Sequence, residues 1–203
     1  MYDPLRIHGA TTKTGMTIGV IGVGGLGVMG LKLAKAMGHK VVAISTSDKK
    51  EAHAKSVGAD VFVVSTNPES MKANEGICDI ILNTVPYKHE VADYLGLLAY
   101  GGKIVMLGLN TEPHTTVSQL PLVLSRKTIT GTLIGGIKST QECIDFCAKH
   151  QIYPECKTMM CDQLDWIFDE LTHRNKDGLR YVLDIKKSLE DKNFTPKDFT
   201  RPQ

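Results

Sequence analysis

A doubly wound α/β fold, in which helices cover both faces of a parallel sheet, is what this chain of 203 residues predicts. Three observations predict it. Apolar runs and helical patterns alternate from about residue 17 to residue 108. The apolar runs are continuous instead of alternating with polar residues, as strands buried on both faces require. A strand, a glycine-rich turn and a helix also follow one another directly in Thr17-Ile-Gly-Val-Ile-Gly-Val-Gly-Gly-Leu-Gly-Val-Met-Gly30.

That last stretch organises the others. Gly22, Gly24 and Gly27, with Val23, Gly25 and Leu26 between them, fit the dinucleotide fingerprint G-x-G-x-x-G. Gly22 permits the tight turn, Gly24 lets backbone approach a pyrophosphate, and Gly27 lets the helix close onto the strand. A helix over 26–37 then offers free amide N–H groups and the positive end of its dipole to a phosphate. Because a lone G-x-G-x-x-G is a weak signal, its context decides. Here it follows an apolar strand, opens a helix with Leu31, Leu33, Ala34 and Met37 at helical spacing, and is followed by a second strand at 40–44. The competing reading is a glycine-rich turn in an α/β protein that holds no ligand.

The remaining elements follow in order. Residues 2–9 read as the end of a helix capped by Gly9, and 11–15 as a polar turn. After the second strand come a helix at 48–56, a turn at 58–60, a strand at 61–64 and a short helix at 68–73. A buried strand at 78–84, a helix at 88–98 and a fifth strand at 103–107, entered through Gly101-Gly102, complete the alternation. A polar loop at 110–116 leads to an apolar segment at 120–124 and a strand at 127–134. A helix at 140–150, a strand at 155–160, a helix at 164–173 and a last strand at 180–185 form a C-terminal α+β extension. The stretch 189–203 is polar and reads as loose. The expected organisation is a Rossmann-type nucleotide-binding domain over 1–138 with a short N-terminal helix, a C-terminal segment over 139–188, and a polar tail over 189–203.

Composition excludes several classes of function. With 42% hydrophobic and 23% charged residues the chain is ordinary globular material. A net charge of +2, with the basic residues scattered among acids, is no nucleic-acid footprint. No apolar run reaches the roughly 18–20 residues of a membrane span, and the N-terminus carries no signal pattern. Five cysteines, an odd number in a chain of this composition, indicate reduced thiols and a cytoplasmic location.

Cofactor choice is expected at the end of the second strand, where binders of NAD place an acid on the ribose 2′-hydroxyl. Ser45, Thr46, Ser47, Asp48, Lys49 and Lys50 stand there instead. Hydroxyls and a lysine suit a phosphate, so NADP(H) is the expected cofactor. The competing reading is that Ser45 to Ser47 merely cap the next helix. Asp48 is a minor objection, because its charge lies near the expected phosphate.

Seven segments together resemble one family. They are Gly22-Val-Gly-Gly-Leu-Gly27, Ile44-Ser-Thr-Ser-Asp-Lys-Lys50, Val57-Gly-Ala-Asp60, Asn83-Thr-Val-Pro86, Gly101-Gly-Lys-Ile-Val-Met-Leu-Gly108, Gly131-Thr-Leu-Ile-Gly-Gly136 and Arg180-Tyr-Val-Leu-Asp184. In this order they resemble the zinc-dependent medium-chain alcohol dehydrogenases, nearest to the NADP-dependent cinnamyl alcohol dehydrogenase type, over residues 2 to about 185. The resemblance implies hydride transfer between the nicotinamide and an alcohol or aldehyde held on a catalytic zinc. It also implies that Gly22 to Gly27 hold the pyrophosphate and that Ser45, Thr46, Ser47 and Lys50 hold the 2′-phosphate. Thr84 and Gly108 would line the ribose and nicotinamide side, and Thr132, Leu133 and Ile134 would meet the carboxamide. A homodimer through the edge strand 128–134 is implied as well, and the segment beyond about residue 139 would return to the catalytic domain.

In that family the zinc ligands precede the segment matching Tyr2-Asp-Pro-Leu5, so no metal ligand and no catalytic residue is expected in this chain, and no turnover by it alone. Replacement of the metal site from within also finds no motif. Cys143 and Cys147 lie one helical turn apart, with His150, Cys156 and Cys161 nearby in sequence, but no zinc spacing is matched. The pair reads instead, with Ile144 and Phe146, as half of an amphipathic helix. His89-Glu90 lacks the second histidine of H-E-x-x-H and reads as an exposed helix start. Tyr87, His114, Tyr153 and Trp166 read as packing or surface. Three functional classes follow: the cofactor-binding part of an NADP(H)-dependent alcohol dehydrogenase, a stand-alone NADP(H)-binding module, and a dimerising remnant that binds nothing.

Overall fold

Strands β1 (Thr17–Ile21), β2 (Lys40–Ser45), β3 (Val61–Val64), β4 (Cys78–Asn83), β5 (Leu98–Met106) and β6 (Thr128–Gly131) form one parallel sheet in the order β3-β2-β1-β4-β5-β6. The chain winds outward from β1 to β3, then returns to lay β4 against the other side of β1. This reversal opens a crevice at the carboxyl ends of β1 and β4. The computed structural model describes residues 1–110, 117–173 and 179–190, in two compact units, Met1–Tyr153 and Pro154–Gln203.

Side-chain alternation along the central strands builds a core on each face. Val41 and Ala43 of β2 and Ile80 and Leu82 of β4 pack on one side with α1 (Tyr2–Ile7), α2 (Gly25–Ala36) and Ala54 of α3 (Glu51–Ser56). Val42, Ile44 and Ile81 pack on the other with Tyr94, Leu95 and Leu97. These strand residues are at most 1% exposed, so each of the valines, isoleucines and leucines contributes about 1.5–3 kcal/mol of transfer free energy. That two-sided burial explains the continuous apolar runs of the sequence.

Several elements differ from their sequence expectation. The helix expected at 88–98 is a 3₁₀ segment, Val91–Leu97. Val91, Tyr94 and Leu97 are buried at three-residue spacing, and a helix of three residues per turn stacks that spacing on one face. Strand β5 starts at Leu98, not Lys103, because Cys78 pairs with Leu98 while Ile80 pairs with Lys103, leaving a bulge through Gly101-Gly102. Strand β6 stops at Gly131, where β5, its partner among the described residues, ends opposite it at Met106. Short helices α4 (Pro68–Ala73) and α5 (Gln119–Ser125) complete the connections. The Asn67 side chain caps α4, accepting from the Glu69 and Ser70 amides.

The last helix of the first unit, α6, covers Ile137–His150, so the residue-138 break expected from sequence lies inside it. It packs on α1. Ser139 Oγ donates to Asp3 Oδ1 at 2.6 Å, Arg6 lies 3.7 Å from Glu142, and the Tyr2 and Phe146 rings are 5.8 Å apart. In the second unit, parallel strands β7 (Cys156–Met159) and β8 (Arg180–Leu183) accompany α7 (Leu164–His173) and α8 (Ile185–Glu190). Helix α8 occupies the start of the stretch expected to be loose. It is held by Ser188, fully buried, whose Oγ donates to Asp184 O at 2.6 Å and accepts from the Cys161 amide at 2.9 Å. The rest of the expected tail, from residue 191, and His114 lie outside the described residues.

Candidate cofactor-binding cleft

The crevice is a cleft of about 410 Å³. Gly22, Val23 and Gly24 form its floor, Ser45, Thr46, Ser47 and Lys50 one wall, and Thr84 to Tyr87 with His89 and Tyr94 the other. Residues from three separated stretches of sequence thus converge at one end of the sheet.

Each fingerprint glycine answers to a measurable constraint. Gly22 has φ +91°, a left-handed conformation that disfavours side chains, and its amide donates to Ile44 O at 3.0 Å. A Cβ on Gly27 would fall 1.8 Å from Gly22 O, so only glycine lets α2 sit this close to β1. Gly24 differs: a Cβ there meets nothing within 4 Å. Local packing does not require glycine at Gly24; open space in front of it does suit an incoming group. Gly25, Leu26 and Gly27 form the first turn of α2, whose leading N–H groups have no partner within the helix. The arrangement fits a pyrophosphate.

At the end of β2, Ser47 precedes a 3₁₀ turn, Asp48–Lys50, with no side-chain hydrogen bond capping it. Capping therefore does not account for that hydroxyl. Lys50 Nζ donates to Val23 O at 2.9 Å.

The opposite wall is organised by Asn83, which is fully buried. Its backbone oxygen accepts from the Leu107 and Gly108 amides at 2.9 and 3.1 Å, tying the ends of β4 and β5 together. Its side-chain oxygen accepts from the Val85 amide at 3.2 Å, and Nδ2 lies 2.8 Å from His89 Nε2. His89 Nδ1 lies 2.6 Å from Tyr87 O, a carbonyl that can only accept. Nδ1 therefore carries the proton and Nε2 accepts from Asn83. Thr84 Oγ1 donates to Ile21 O at 2.8 Å, fastening β4 to the end of β1. Gly108 sits so near this loop that a Cβ would lie 2.2 Å from Val85 O.

Of the residues singled out from sequence, Gly22, Val23, Gly24, Ser45, Thr46, Ser47, Lys50 and Thr84 line the cleft together. Thr132, Leu133 and Ile134 lie past the end of β6 and are not in its lining; Thr132 donates to Met106 O at 3.1 Å, and Leu133 and Ile134 are 65% and 80% exposed. His89 is not an exposed helix start but a half-buried cleft residue. Tyr87, Tyr94 and His89 were legible only through position, since ligands of open α/β sheets bind just beyond strand ends at the switch point.

Cys147 and Phe146 pack against the core, whereas Ile144, expected on the same face, is 56% exposed. Burial and the neighbouring Cys143 push the Cys147 thiol up to about 11. Among the described residues, no three His, Cys, Asp or Glu side chains could hold a metal ion. No described helix is long and apolar enough to cross a membrane.

Residues 25–149 match the family model described as zinc-binding dehydrogenase. The chain belongs to the zinc-binding dehydrogenase family. Among relatives of this zinc-binding dehydrogenase chain, cinnamyl alcohol dehydrogenase 8 of Arabidopsis thaliana is 41% identical over 94% of the chain and 52% of its own length. A probable mannitol dehydrogenase of Medicago sativa is also 41% identical, over 93% of the chain and 52% of its own length. The chain thus spans about half the length of the curated relatives it matches. A cinnamyl alcohol dehydrogenase structure from Sorghum bicolor covers 92% of the chain and 52% of itself at TM-score 0.82 and 30% identity. The cinnamyl alcohol dehydrogenase of Helicobacter pylori, solved with NADP(H), matches over 92% of the chain and 52% of itself at TM-score 0.77 and 38% identity.

Proposed function

We propose that this chain is the NADP(H)-binding part of an alcohol dehydrogenase or aldehyde reductase of the cinnamyl alcohol dehydrogenase type. One observation carries the reading: the end of β2 presents Ser45, Thr46, Ser47 and Lys50 to the cleft, with Ser47 uncommitted to capping. The glycine turn and the first turn of α2 would hold the pyrophosphate, and the β2 end the 2′-phosphate. Thr84 and Gly108 would shape the ribose and nicotinamide side. When bound, the nicotinamide supplies or accepts the hydride. The chain's own residues bind and orient it: backbone N–H groups neutralise charge, Lys50 adds a cation, and the Asn83-organised loop closes one side.

Thr132, Leu133 and Ile134 are proposed as carboxamide contacts. The described residues do not fit a zinc site, so polarisation of an alcohol or aldehyde oxygen falls to groups outside them. The chain alone, given NADP⁺, zinc and cinnamyl alcohol, is expected to form no NADPH above a buffer blank, and turnover would overturn that expectation. The segment beyond about residue 139 is proposed to meet a catalytic domain. A homodimer through β6 is proposed too, supported by an edge strand that pairs with β5 alone among the described residues, and by exposed Leu133 and Ile134 beside it.

Paired fluorescence titrations with NADPH and NADH test the cofactor reading. NADPH is expected to bind at least about tenfold more tightly, a difference of about 1.4 kcal/mol. Lys50→Glu is expected to abolish that preference. Equal binding removes the phosphate assignment, and binding of neither moves the chain to the class of non-binding remnants.

A further inference from the structure

We infer that Lys50 is also a positioning residue: by holding the Val23 carbonyl it sets the fingerprint turn, so that one side chain couples the 2′-phosphate and pyrophosphate subsites. This rests on the NADP(H) reading above. The Nζ–O distance is 2.9 Å, joining the turn after β2 to the turn after β1 across 27 residues of sequence. Val23 is 3% exposed and lies between Gly22 and Gly24. Glycines on both sides give this turn large backbone freedom, and a restraint from outside removes much of it. The peptide unit from Val23 to Gly24 is planar, so fixing its carbonyl also fixes the direction of the Gly24 N–H on the opposite side.

An ammonium has three donors. Lys50 can keep the Val23 carbonyl with one and offer another to a phosphate. Loss of Lys50 therefore acts twice, once at the phosphate it meets and once on the turn it holds. NADH, with no 2′-phosphate, reads only the second effect. Lys49, adjacent and exposed, carries the same charge and lies outside the cleft lining, so its removal controls for charge alone.

The experiment compares wild type, Lys50→Ala and Lys49→Ala in titrations with NADPH and NADH. Backbone hydrogen exchange of the peptide 20–28 is measured beside them in the ligand-free proteins. Lys50→Ala is expected to weaken NADH about three- to tenfold, the range of one ordinary hydrogen bond acting indirectly through the turn, and NADPH by more. It is also expected to speed exchange in the peptide, while Lys49→Ala does neither. Unchanged NADH binding or unchanged exchange in Lys50→Ala overturns the inference, as does the same loss in Lys49→Ala. Should wild type bind neither nucleotide, the NADP(H) reading fails by itself, and the exchange comparison alone decides whether Lys50 holds the turn.

Discussion

Two glycines of one motif, three residues apart, answer to opposite constraints. Gly27 is demanded by the protein itself, since a Cβ there would strike Gly22 O. Gly27→Ala is expected to push α2 off β1, lowering stability by about 1–3 kcal/mol as overpacking does, and to weaken NADPH binding with it. Gly24 has open space before it and φ −113°, a conformation any residue adopts. Gly24→Ala is expected to leave melting unchanged or raise stability by about 0.4–1 kcal/mol. NADPH affinity is nonetheless expected to fall at least about tenfold, because the new methyl enters the proposed pyrophosphate site. Thermal melts and titrations on the two variants separate the cases: equal loss of stability in both would refute the distinction.

Between elements, the contact of α1 with α6 turns on a buried hydroxyl. Ser139, 4% exposed, donates to Asp3, and this hydrogen bond, opposed by burial and helped by Arg6, holds the Asp3 carboxyl below its ordinary value of 3.8. A carboxyl lowered on folding contributes stability that is complete above 3.8 and is lost as pH falls through the lower folded value. Ser139→Ala is expected to cost about 1–2 kcal/mol at neutral pH, with the gap from wild type narrowing below that value. Denaturant curves at several pH values check it, and a gap independent of pH would deny Asp3 its part. The 3₁₀ segment Val91–Leu97 makes a related point. Its three-residue spacing is visible in sequence, but only burial of Val91, Tyr94 and Leu97 against the sheet residues Val42, Ile81 and Ile104 decides that this spacing outweighs the α-helical one.

For the whole molecule, the exposed apolar side chains of α5 and the β6 edge set the expectation. Leu120, Val123 and Leu124 of α5 and Leu133, Ile134 and Ile137 near β6 are each at least 64% exposed. Surface of that kind marks an interface. If a second copy pairs along β6, the chain sediments as a dimer at micromolar concentration, and Leu133→Lys with Ile134→Lys converts it to a monomer. A wild-type monomer under those conditions would exclude the homodimer.

Sequence alone determined the doubly wound fold, because continuous apolar runs separated by helical patterns admit few other arrangements. It also determined the glycine-rich turn, because G-x-G-x-x-G between strand and helix is a local backbone requirement. The seven segments, read together, pointed to the family. The tertiary structure decided what depends on neighbours distant in sequence. His89 and Tyr87 became cleft residues only when β4 was laid beside β1, and the Asn83 hub exists only because β5 ends next to it. Lys50 met Val23, and α6 met α1, for the same reason. Periodicity and turn chemistry report on a few consecutive residues, whereas a cleft is made by the order in which strands pair.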